Sequence, residues 1–142
     1  MSDGESTRPP TPGDAAASWR FITPQLPVRD VRETQRYYRD VLGFNIAWIF
    51  DEDYGAVYND TTEVFFSESP EPIHPVWNFV RVDDADAVLA AYRDRGAKIV
   101  EDIESKPWGM REFTVEDNNG HRFRIGHSEG PVVPPEERGK GG

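Results

Sequence analysis

VRDVRETQRYYRDVLG, residues 28–43, decides the fold, because much of its pattern returns as VDDADAVLAAYRDRG at residues 82–96. In each copy a valine and an aspartate two positions later are followed by Tyr-Arg-Asp and then by glycine. Asp30 and Asp84 are 54 positions apart, and the tyrosines of the two copies keep the same spacing. A spacing that repeats with similar flanking sequence indicates an internal duplication of one structural unit.

Each copy has the pattern of a capped helix. Asp30 can cap the start of the first helix, and Gly43 supplies the left-handed residue at its end. In the second copy either Asp83 or Asp84 can be the cap, and Gly96 ends the helix. Apolar residues recur at helical spacing along one side of each segment, which predicts two amphipathic helices.

Strand-like segments surround both helices. An apolar segment precedes the first helix, and an Asn-Asn-Gly sequence at residues 118–120 predicts a tight hairpin turn. The other candidate strands are residues 46–50, 56–59 and 62–67 in the first half, and 77–82, 98–102, 111–116 and 122–127 in the second. The order βαβββ, read twice, predicts an α+β fold of two tandem modules.

The ends of the chain differ in composition from its middle. Residues 1–18 and 131–142 are rich in Pro, Gly and polar residues and contain little to bury, so we predict a disordered N-terminal tail and a flexible C-terminal one. Residues 19–130 are predicted to form a single domain, with modules at residues 19–70 and 74–129. A chain of 142 residues is consistent with one compact domain.

Composition also excludes several classes of function. The absence of cysteine rules out disulfides, zinc–thiolate sites and thiol nucleophiles. No apolar run approaches the roughly 18 residues of a membrane span, and no apolar signal segment opens the chain, so a cytoplasmic protein is expected. The net charge of −10 argues against nucleic acid or anionic lipid as a partner and is compatible with a cationic one.

Two stretches carry a family resemblance. FITPQLPVRDVRETQRYYRDVLGF, residues 21–44, resembles the opening of a vicinal-oxygen-chelate module. PWGMREFTVEDNNGHRFRI, residues 107–125, is similar to the segment that closes the bleomycin-resistance branch of the glyoxalase/bleomycin-resistance superfamily. The most specific matches are Trp108, Gly109, Arg111, Glu112 and Phe113. Asn118 departs from the pattern, where proline is frequent, and this affects only the turn.

The resemblance implies more than the periodicity does. It implies a glyoxalase-like fold whose curved mixed sheets surround a cavity, with helices on the convex side. It also implies a homodimer, with ligand clefts at the dimer interface in the bleomycin-binding members. We therefore expect a homodimer here as well.

The resemblance also identifies the positions at which a metal centre would have its ligands. Superfamily enzymes bind a metal with His and Glu side chains, and the matching positions here are Thr23, Phe65, Trp77 and Arg124. A hydroxyl, two aromatic rings and a permanent cation make a poor ligand set for a divalent metal, so no metal and no other cofactor are expected. The three histidines, at positions 74, 121 and 127, are expected to face solvent or to form local hydrogen bonds.

Aromatic and charged residues make up the predicted ligand site. Bleomycin-binding relatives carry tryptophans at the positions of Trp77 and Trp108 and stack the drug's bithiazole rings there. Phe79 shares a strand face with Trp77, and Trp48 shares one with Phe50. The predicted ligand-binding residues are Trp48, Phe50, Asp51, Asp53, Trp77, Phe79, Trp108, Arg111 and Arg124. The acids would attract a cationic drug, whereas the arginines, with Arg122, either pair with those acids or bind an anionic or carbonyl-bearing ligand.

Two functions from different classes follow. The first is a non-catalytic, dimeric protein that sequesters an aromatic, cationic antibiotic of the bleomycin type, with some other planar antibiotic as a variant. The alternative is a metal-independent lyase, isomerase or hydrolase that acts on a small metabolite, with Glu112 and His74 as candidate acid–base residues. The sequence favours binding over catalysis.

Overall fold

The computed structural model describes residues 15–131 and residue 136. The two predicted tails therefore lie for the most part outside the described residues. Ala15–Ala17 form one turn of 3-10 helix. Neither of the α-helices in the described part of the chain has the length and apolar character that crossing a membrane requires.

The two modules have the same element order. The first contains β1 (Gln25–Val28), α1 (Val31–Asp40), β2 (Asn45–Phe50), β3 (Tyr54–Asn59) and β4 (Thr62–Glu68). The second contains β5 (Trp77–Arg81), α2 (Ala85–Asp94), β6 (Lys98–Ser105), β7 (Met110–Glu116) and β8 (Arg122–Ser128). The helices begin and end 54 positions apart, which confirms the predicted duplication.

Each module forms its own four-stranded mixed sheet. The strand orders are β1-β4-β3-β2 and β5-β8-β7-β6. β1 runs parallel to β4 and β5 parallel to β8, whereas the remaining neighbours are antiparallel. This is the predicted α+β fold of two tandem βαβββ modules. Within the described residues no strand pairs across the two modules.

The helix starts follow the predicted capping chemistry. The Asp30 side chain accepts a hydrogen bond from Glu33 N at 2.8 Å. In the second module Asp84, rather than Asp83, is the cap and accepts from Ala87 N at 3.1 Å. His127 Nδ1 adds a second acceptor for the first turn of α2, at 2.9 Å from Ala85 N.

One apolar core serves both modules. Val28, Phe66, Leu89 and Phe113 are among the buried residues that belong to a single cluster. Each helix packs on one face of its own sheet, and α1 also reaches the second module, where the rings of Tyr38 and Phe123 lie 6.2 Å apart. Burying one face of each sheet leaves the opposite face uncovered by the chain's own helices.

The predicted turn after β7 is a connection between the modules. Asp117 and His121 are buried there, and the Tyr38 hydroxyl donates to Asp117 Oδ2 at 2.5 Å. His121 Nδ1 accepts from Val76 N at 3.0 Å, and its Nε2 lies 2.7 Å from Pro27 O. The expectation that His121 faces solvent or bonds locally is therefore wrong. The ring is fully buried, and its partners lie 45 and 94 positions away along the chain.

Candidate functional site

The candidate site lies on the face of the second sheet that is turned away from α2, which we call the second open face. Phe113 and Val115 point into the core, and the Phe113 ring lies 6.3 Å from that of Tyr92 on α2. Successive side chains of a strand point to opposite faces, so Glu112 and Thr114 point away from the helix. On β8 the same alternation places Phe123 and Ile125 in the core, and therefore Arg122 and Arg124 on the second open face.

A cavity of about 320 Å³ opens on this face. Its walls come from β5, β6, β7 and β8. The lining residues are Trp77, Val100, Glu101, Thr114, Arg122 and Arg124. Its size is at the lower end of the range that small-molecule sites occupy in proteins.

The indole ring of Trp77 forms one side of the cavity. Its side chain is 51% exposed, and the guanidinium carbons of Arg122 and Arg124 each lie 5.5 Å from the centroid of its ring. Arginine is attracted to the electron-rich face of an indole at this distance. A second planar group that stacks on Trp77 would therefore lie beside two cations.

The two arginines differ in how their charge is balanced. Arg122 Nε donates to Glu116 Oε1 at 3.1 Å, and Lys98 Nζ lies 2.8 Å from the other oxygen of that carboxylate. The hydrogen bond from Lys98, with a further one from Arg122, holds the pKa of Glu116 below its usual range despite partial burial. Arg122 is thus fixed in an ion-pair network that does not include Arg124.

Glu112 is the carboxylate that faces Arg124. It is only 1% exposed and lies opposite Gly126, where a Cβ would come within 2.8 Å of the Glu112 Cβ, so glycine makes room for it. Its Oε2 accepts from Trp108 Nε1 at 3.2 Å. Its Oε1 lies 3.5 Å from Arg124 Nε, close enough for an ion pair, but the geometry leaves both atoms without a hydrogen bond.

Trp108 is held by its loop as well as by Glu112. Lys106 lies 5.8 Å from the centroid of its ring, and Gly109 adopts a φ of +84°. A Cβ at Gly109 would collide with the carbonyl oxygen of Gly130, and Glu129 N donates to Gly109 O at 2.7 Å. The chain that leaves β8 therefore packs against the loop, and glycine is required at position 109.

The corresponding face of the first sheet, the first open face, carries a separate aromatic group. The Trp48 ring lies 5.3 Å from Tyr54 and 5.4 Å from Phe65, each in an edge-to-face arrangement. Such pairs stabilise each other beyond the area they bury. A cavity of about 370 Å³ opens beside this module, lined by residues 21–23, Tyr58 and residues 60–63. Neither of these two cavities is lined by residues of both sheets.

The predicted acids lie at the turn between β2 and β3, next to Phe50, which is 63% exposed. Asp51 and Asp53 are exposed. Between them, Glu52 binds Arg32 on α1 through two contacts of 2.5 and 2.8 Å, and the hydrogen bond from Arg32 lowers its pKa. The two aspartates therefore lie on the first module, and neither of them lines either of the two cavities.

The structure divides the predicted site residues into groups. The second open face brings together Trp77, Phe79 and Arg124, and Glu112 joins Trp108 to them. Trp48, Phe50, Asp51 and Asp53 belong to the first module. Arg111 points toward the helix side, where it makes two contacts of 2.9 and 3.0 Å with Asp86 on α2 and lowers the pKa of that carboxyl. Arg111 therefore does not contribute to the second open face.

Some contributors were not among the predicted ligand-binding residues. They are Glu112, which the sequence predicts only as an acid–base residue of the enzyme alternative, and the cavity-lining residues Thr114 and Glu101. The alternation of Arg111, Glu112 and Phe113 on β7 carried the necessary signal, because an aromatic core residue at 113 places 112 on the other face.

The positions at which the resemblance implies metal ligands do not fit a metal. The side chains of Phe65 and Trp77 have no lone pair that could bind a metal ion. Arg124 brings a positive charge close to Trp77. Among residues 15–131 and residue 136 no group of three or more His, Asp or Glu side chains is placed to hold a metal ion.

The comparisons with known proteins agree with this architecture. The profile of the Glyoxalase/Bleomycin resistance protein/Dioxygenase superfamily matches residues 20–125. The chain belongs to this superfamily. No curated protein matches the sequence.

Several solved structures are similar to this chain in fold. TioX from Micromonospora sp. ML1 is 21% identical with a TM-score of 0.69, and covers 78% of this chain and 99% of its own. A bleomycin resistance determinant encoded on the transposon Tn5 is 22% identical with the same TM-score and coverage. A glyoxalase-related enzyme from Clostridium phytofermentans is 22% identical with a TM-score of 0.68, and covers 78% of this chain and 96% of its own. The structures that are similar in fold thus include a bleomycin resistance determinant and a glyoxalase-related enzyme.

Proposed function

We propose that this chain is a non-catalytic, homodimeric, cytoplasmic protein that sequesters a planar aromatic antibiotic of the bleomycin type and so confers resistance. The ligand carries a cationic group, and binding needs no metal, organic cofactor, nucleic acid or membrane. The observation that carries the proposal is the cavity beside the exposed ring of Trp77, with Trp108 anchored to the same face through Glu112.

Stacking on rigid aromatic rings is the main source of affinity in this proposal. Trp77 and Trp108 are 51% and 46% exposed, although both are held by contacts to neighbouring side chains. A ring that is exposed but already oriented loses little conformational freedom when a ligand stacks on it. The mechanism is stoichiometric: apolar burial and stacking hold the drug, and no bond is made or broken.

Dimerisation is part of the proposal because each chain carries two half-sites. The first and second open faces have separate cavities, and large aromatic side chains on both are exposed. Exposed apolar surface of this kind is characteristic of interaction sites. A second copy would cover it by placing its first open face over the second open face of its partner. Sedimentation should give twice the 16.1 kDa chain mass at micromolar concentration, and a monomer would contradict the proposal.

Titration of tryptophan fluorescence with bleomycin and with quinone and enediyne antibiotics tests the site directly. Trp77→Ala and Trp108→Ala should each weaken the best ligand by about 5- to 150-fold, as expected for the loss of about 1–3 kcal/mol of stacking. Trp19→Ala is the matched control, since Trp19 is 82% exposed and precedes β1. Unchanged affinity in the folded Trp77 and Trp108 variants would refute the proposal.

In this proposal Asp51 and Asp53 form an acidic rim, and they should behave differently from the aromatic residues. Replacing Asp51 and Asp53 together with Asn should weaken a cationic ligand by less than the tryptophan substitutions do. The loss should shrink as salt is added, because exposed charges mainly assist encounter and are screened. Replacement of Asp83 and Asp94 with Asn is the matched control, since it removes two exposed acids at the ends of α2. Equal losses in the two double variants would show that net charge, not the rim, is responsible.

A metal-independent enzyme remains the second candidate because Glu112 is buried with one carboxylate oxygen lacking a hydrogen bond. A carboxylate in such a place is a potential general base. Mass analysis of the ligand recovered after incubation separates the two functions. Recovery of unaltered drug supports sequestration, whereas turnover that Glu112→Gln abolishes supports the enzyme.

A further inference from the structure

Arg124 has donor groups that the protein itself does not use. Its side chain is partly exposed in the cavity, and no hydrogen bond from its guanidinium is found within the described residues. Its contacts there are the 3.5 Å ion pair with Glu112 and the packing on Trp77. A guanidinium has five N–H groups in one plane, so most of the capacity of Arg124 to donate hydrogen bonds is available to a ligand.

Arg122 has a different role on the same strand. Its guanidinium already donates to Glu116, whose other oxygen is bound by Lys98. Both arginines pack on Trp77, but Arg122 is held by Glu116, whereas Arg124 has no hydrogen-bond acceptor among the described residues. The buried Nε of Arg124 points toward Glu112, which leaves the terminal nitrogens as the exposed part of the group.

The position of Glu112 keeps Arg124 from being neutralised by a close ion pair. One of its oxygens is engaged by Trp108 Nε1, and the other is 3.5 Å from Arg124 Nε without a hydrogen bond. A bidentate arginine–carboxylate pair would instead use two short bonds of about 2.7–2.9 Å. The guanidinium is thus oriented by Glu112 but can still bind a second acceptor in its own plane.

We propose that the cavity of the second open face is a subsite for an aromatic carboxylate. The planar ring stacks on Trp77, and its carboxylate accepts hydrogen bonds from the terminal nitrogens of Arg124. The inference deepens the proposed function and rests on it.

Two probes that share a ring and differ in charge test the subsite. Naphthalene-2-carboxylate and (naphthalen-2-yl)methylammonium are titrated into the full-length protein by calorimetry at neutral pH and low salt. We expect the parent protein to bind the carboxylate at least tenfold more tightly than the ammonium compound. Arg124→Gln should abolish this preference by weakening the carboxylate at least tenfold while leaving the ammonium probe within about twofold.

Variants of neighbouring residues separate the roles. Trp77→Ala should weaken both probes by similar factors, because both stack on the ring. Arg111→Gln is the matched control, since it removes an arginine from β7 on the face that packs against α2, and it should change neither probe. Because Arg124→Gln leaves Glu112 buried without its cation, the double variant Glu112→Gln/Arg124→Gln provides a neutral pair of similar shape. It should also lack the preference for the carboxylate, whereas Glu112→Gln alone should keep it.

The outcomes distinguish this inference from the proposed function. If both probes bind with equal affinity, or if the preference survives in the Arg124 variants, the carboxylate subsite is refuted while stacking on Trp77 stands. If neither probe binds below about millimolar and no antibiotic does either, both proposals are refuted. Loss of the preference in both Arg124 variants, with the Arg111 control unchanged, supports the subsite.

Discussion

The two modules share one scaffold but differ at the turn that follows the third strand. In the first module, Asp60 and Thr61 make a two-residue turn that is exposed to solvent. In the second, residues 117–121 make a five-residue turn, three of whose side chains are buried. The longer turn reaches α1 and β1 of the first module. The two copies thus share the same helix and sheet, and the turn at residues 117–121 of the second copy connects it to the first.

The tyrosines of the two helices show the same asymmetry in finer detail. Tyr38 and Tyr92 occupy equivalent positions, and each hydroxyl donates to the other module. Tyr38 donates to the carboxylate of Asp117, whereas Tyr92 donates to the backbone carbonyl of Leu42 at 2.9 Å. Hydrogen bonds to charged groups contribute more to stability than bonds between neutral groups. The two tyrosines therefore allow a hydrogen bond to a carboxylate to be compared with one to a backbone carbonyl.

The largest effect is expected at the turns themselves. Asp117 accepts from Tyr38, from Asn119 N and from His121 N, all in a buried place. Asp117→Ala should lower the free energy of unfolding by about 3–5 kcal/mol, because it leaves these donors without acceptors. Asp60→Ala, in the exposed turn, should cost no more than about 1 kcal/mol. Urea denaturation measures both, and equal losses would mean that the two turns are energetically alike.

A smaller difference should separate the two tyrosines. Tyr38→Phe should cost about 1.5–3 kcal/mol, because it leaves a buried carboxylate oxygen without its donor. Tyr92→Phe should cost about 0.5–1.5 kcal/mol, because only a bond to a neutral carbonyl is lost. The measurement is the midpoint of unfolding with the slope checked for constancy. A larger loss for Tyr92 would contradict the assignment of Asp117 as the stronger acceptor.

Alkaline pH should reveal the same tyrosines. Burial, with the nearby Asp117 carboxylate, raises the pKa of Tyr38 well above its usual value, and burial raises the pKa of Tyr92 to about 12. The unfolded chain releases these protons near pH 10 while the native protein keeps them. Stability is therefore fully present below about pH 10 and falls above it by about 1.4 kcal/mol per pH unit for each tyrosine.

Substitution assigns that loss to each residue. Tyr92→Phe should make the free energy of unfolding fall less steeply between pH 10 and about 12. Tyr38→Phe should also reduce the fall, and its effect should continue to higher pH. Stability measured against pH for the parent and both variants tests this. Parallel curves for all three proteins would show that neither tyrosine titrates differently on unfolding.

The smallest difference is expected at the glycines after the helices. Gly43 and Gly96 both have positive φ, at +77° and +79°. A Cβ at Gly43 would come within 2.6 Å of Arg95 Nη1, whereas one at Gly96 meets nothing within 4 Å. Gly96→Ala should cost about 1 kcal/mol from the left-handed conformation alone. Gly43→Ala should cost slightly more, since Arg95 must move. Thermal unfolding measures the pair, and a neutral Gly96→Ala would argue against a strained backbone there.

Local signals in the sequence predicted most of the fold. The caps at Asp30 and Asp84, the glycines after the helices and the Asn-Asn-Gly turn depend on residues a few positions apart, so a linear pattern contains them. The 54-residue repeat then predicted two modules of the same order.

The candidate site was predicted less completely, because it depends on which face each strand residue occupies and on contacts between distant residues. The motif predicts that Arg111 belongs to the site, yet strand alternation turns its side chain toward Asp86. His121 gave no local sign of its partners in the other module. Trp48 and Trp77 are both predicted to line the ligand site, although they lie on different sheets.

The buried turn at residues 117–121 has a consequence for synthesis on the ribosome. The first module is complete by Glu68, but Tyr38 and Pro27 lack their polar partners until the turn leaves the exit tunnel some fifty residues later. We therefore expect the nascent first half to be compact but not cooperatively folded. The whole chain should fold once the hairpin of β7 and β8 has left the tunnel. A fragment that ends at residue 75 should accordingly lack a cooperative unfolding transition, and a sharp transition in that fragment would refute this expectation.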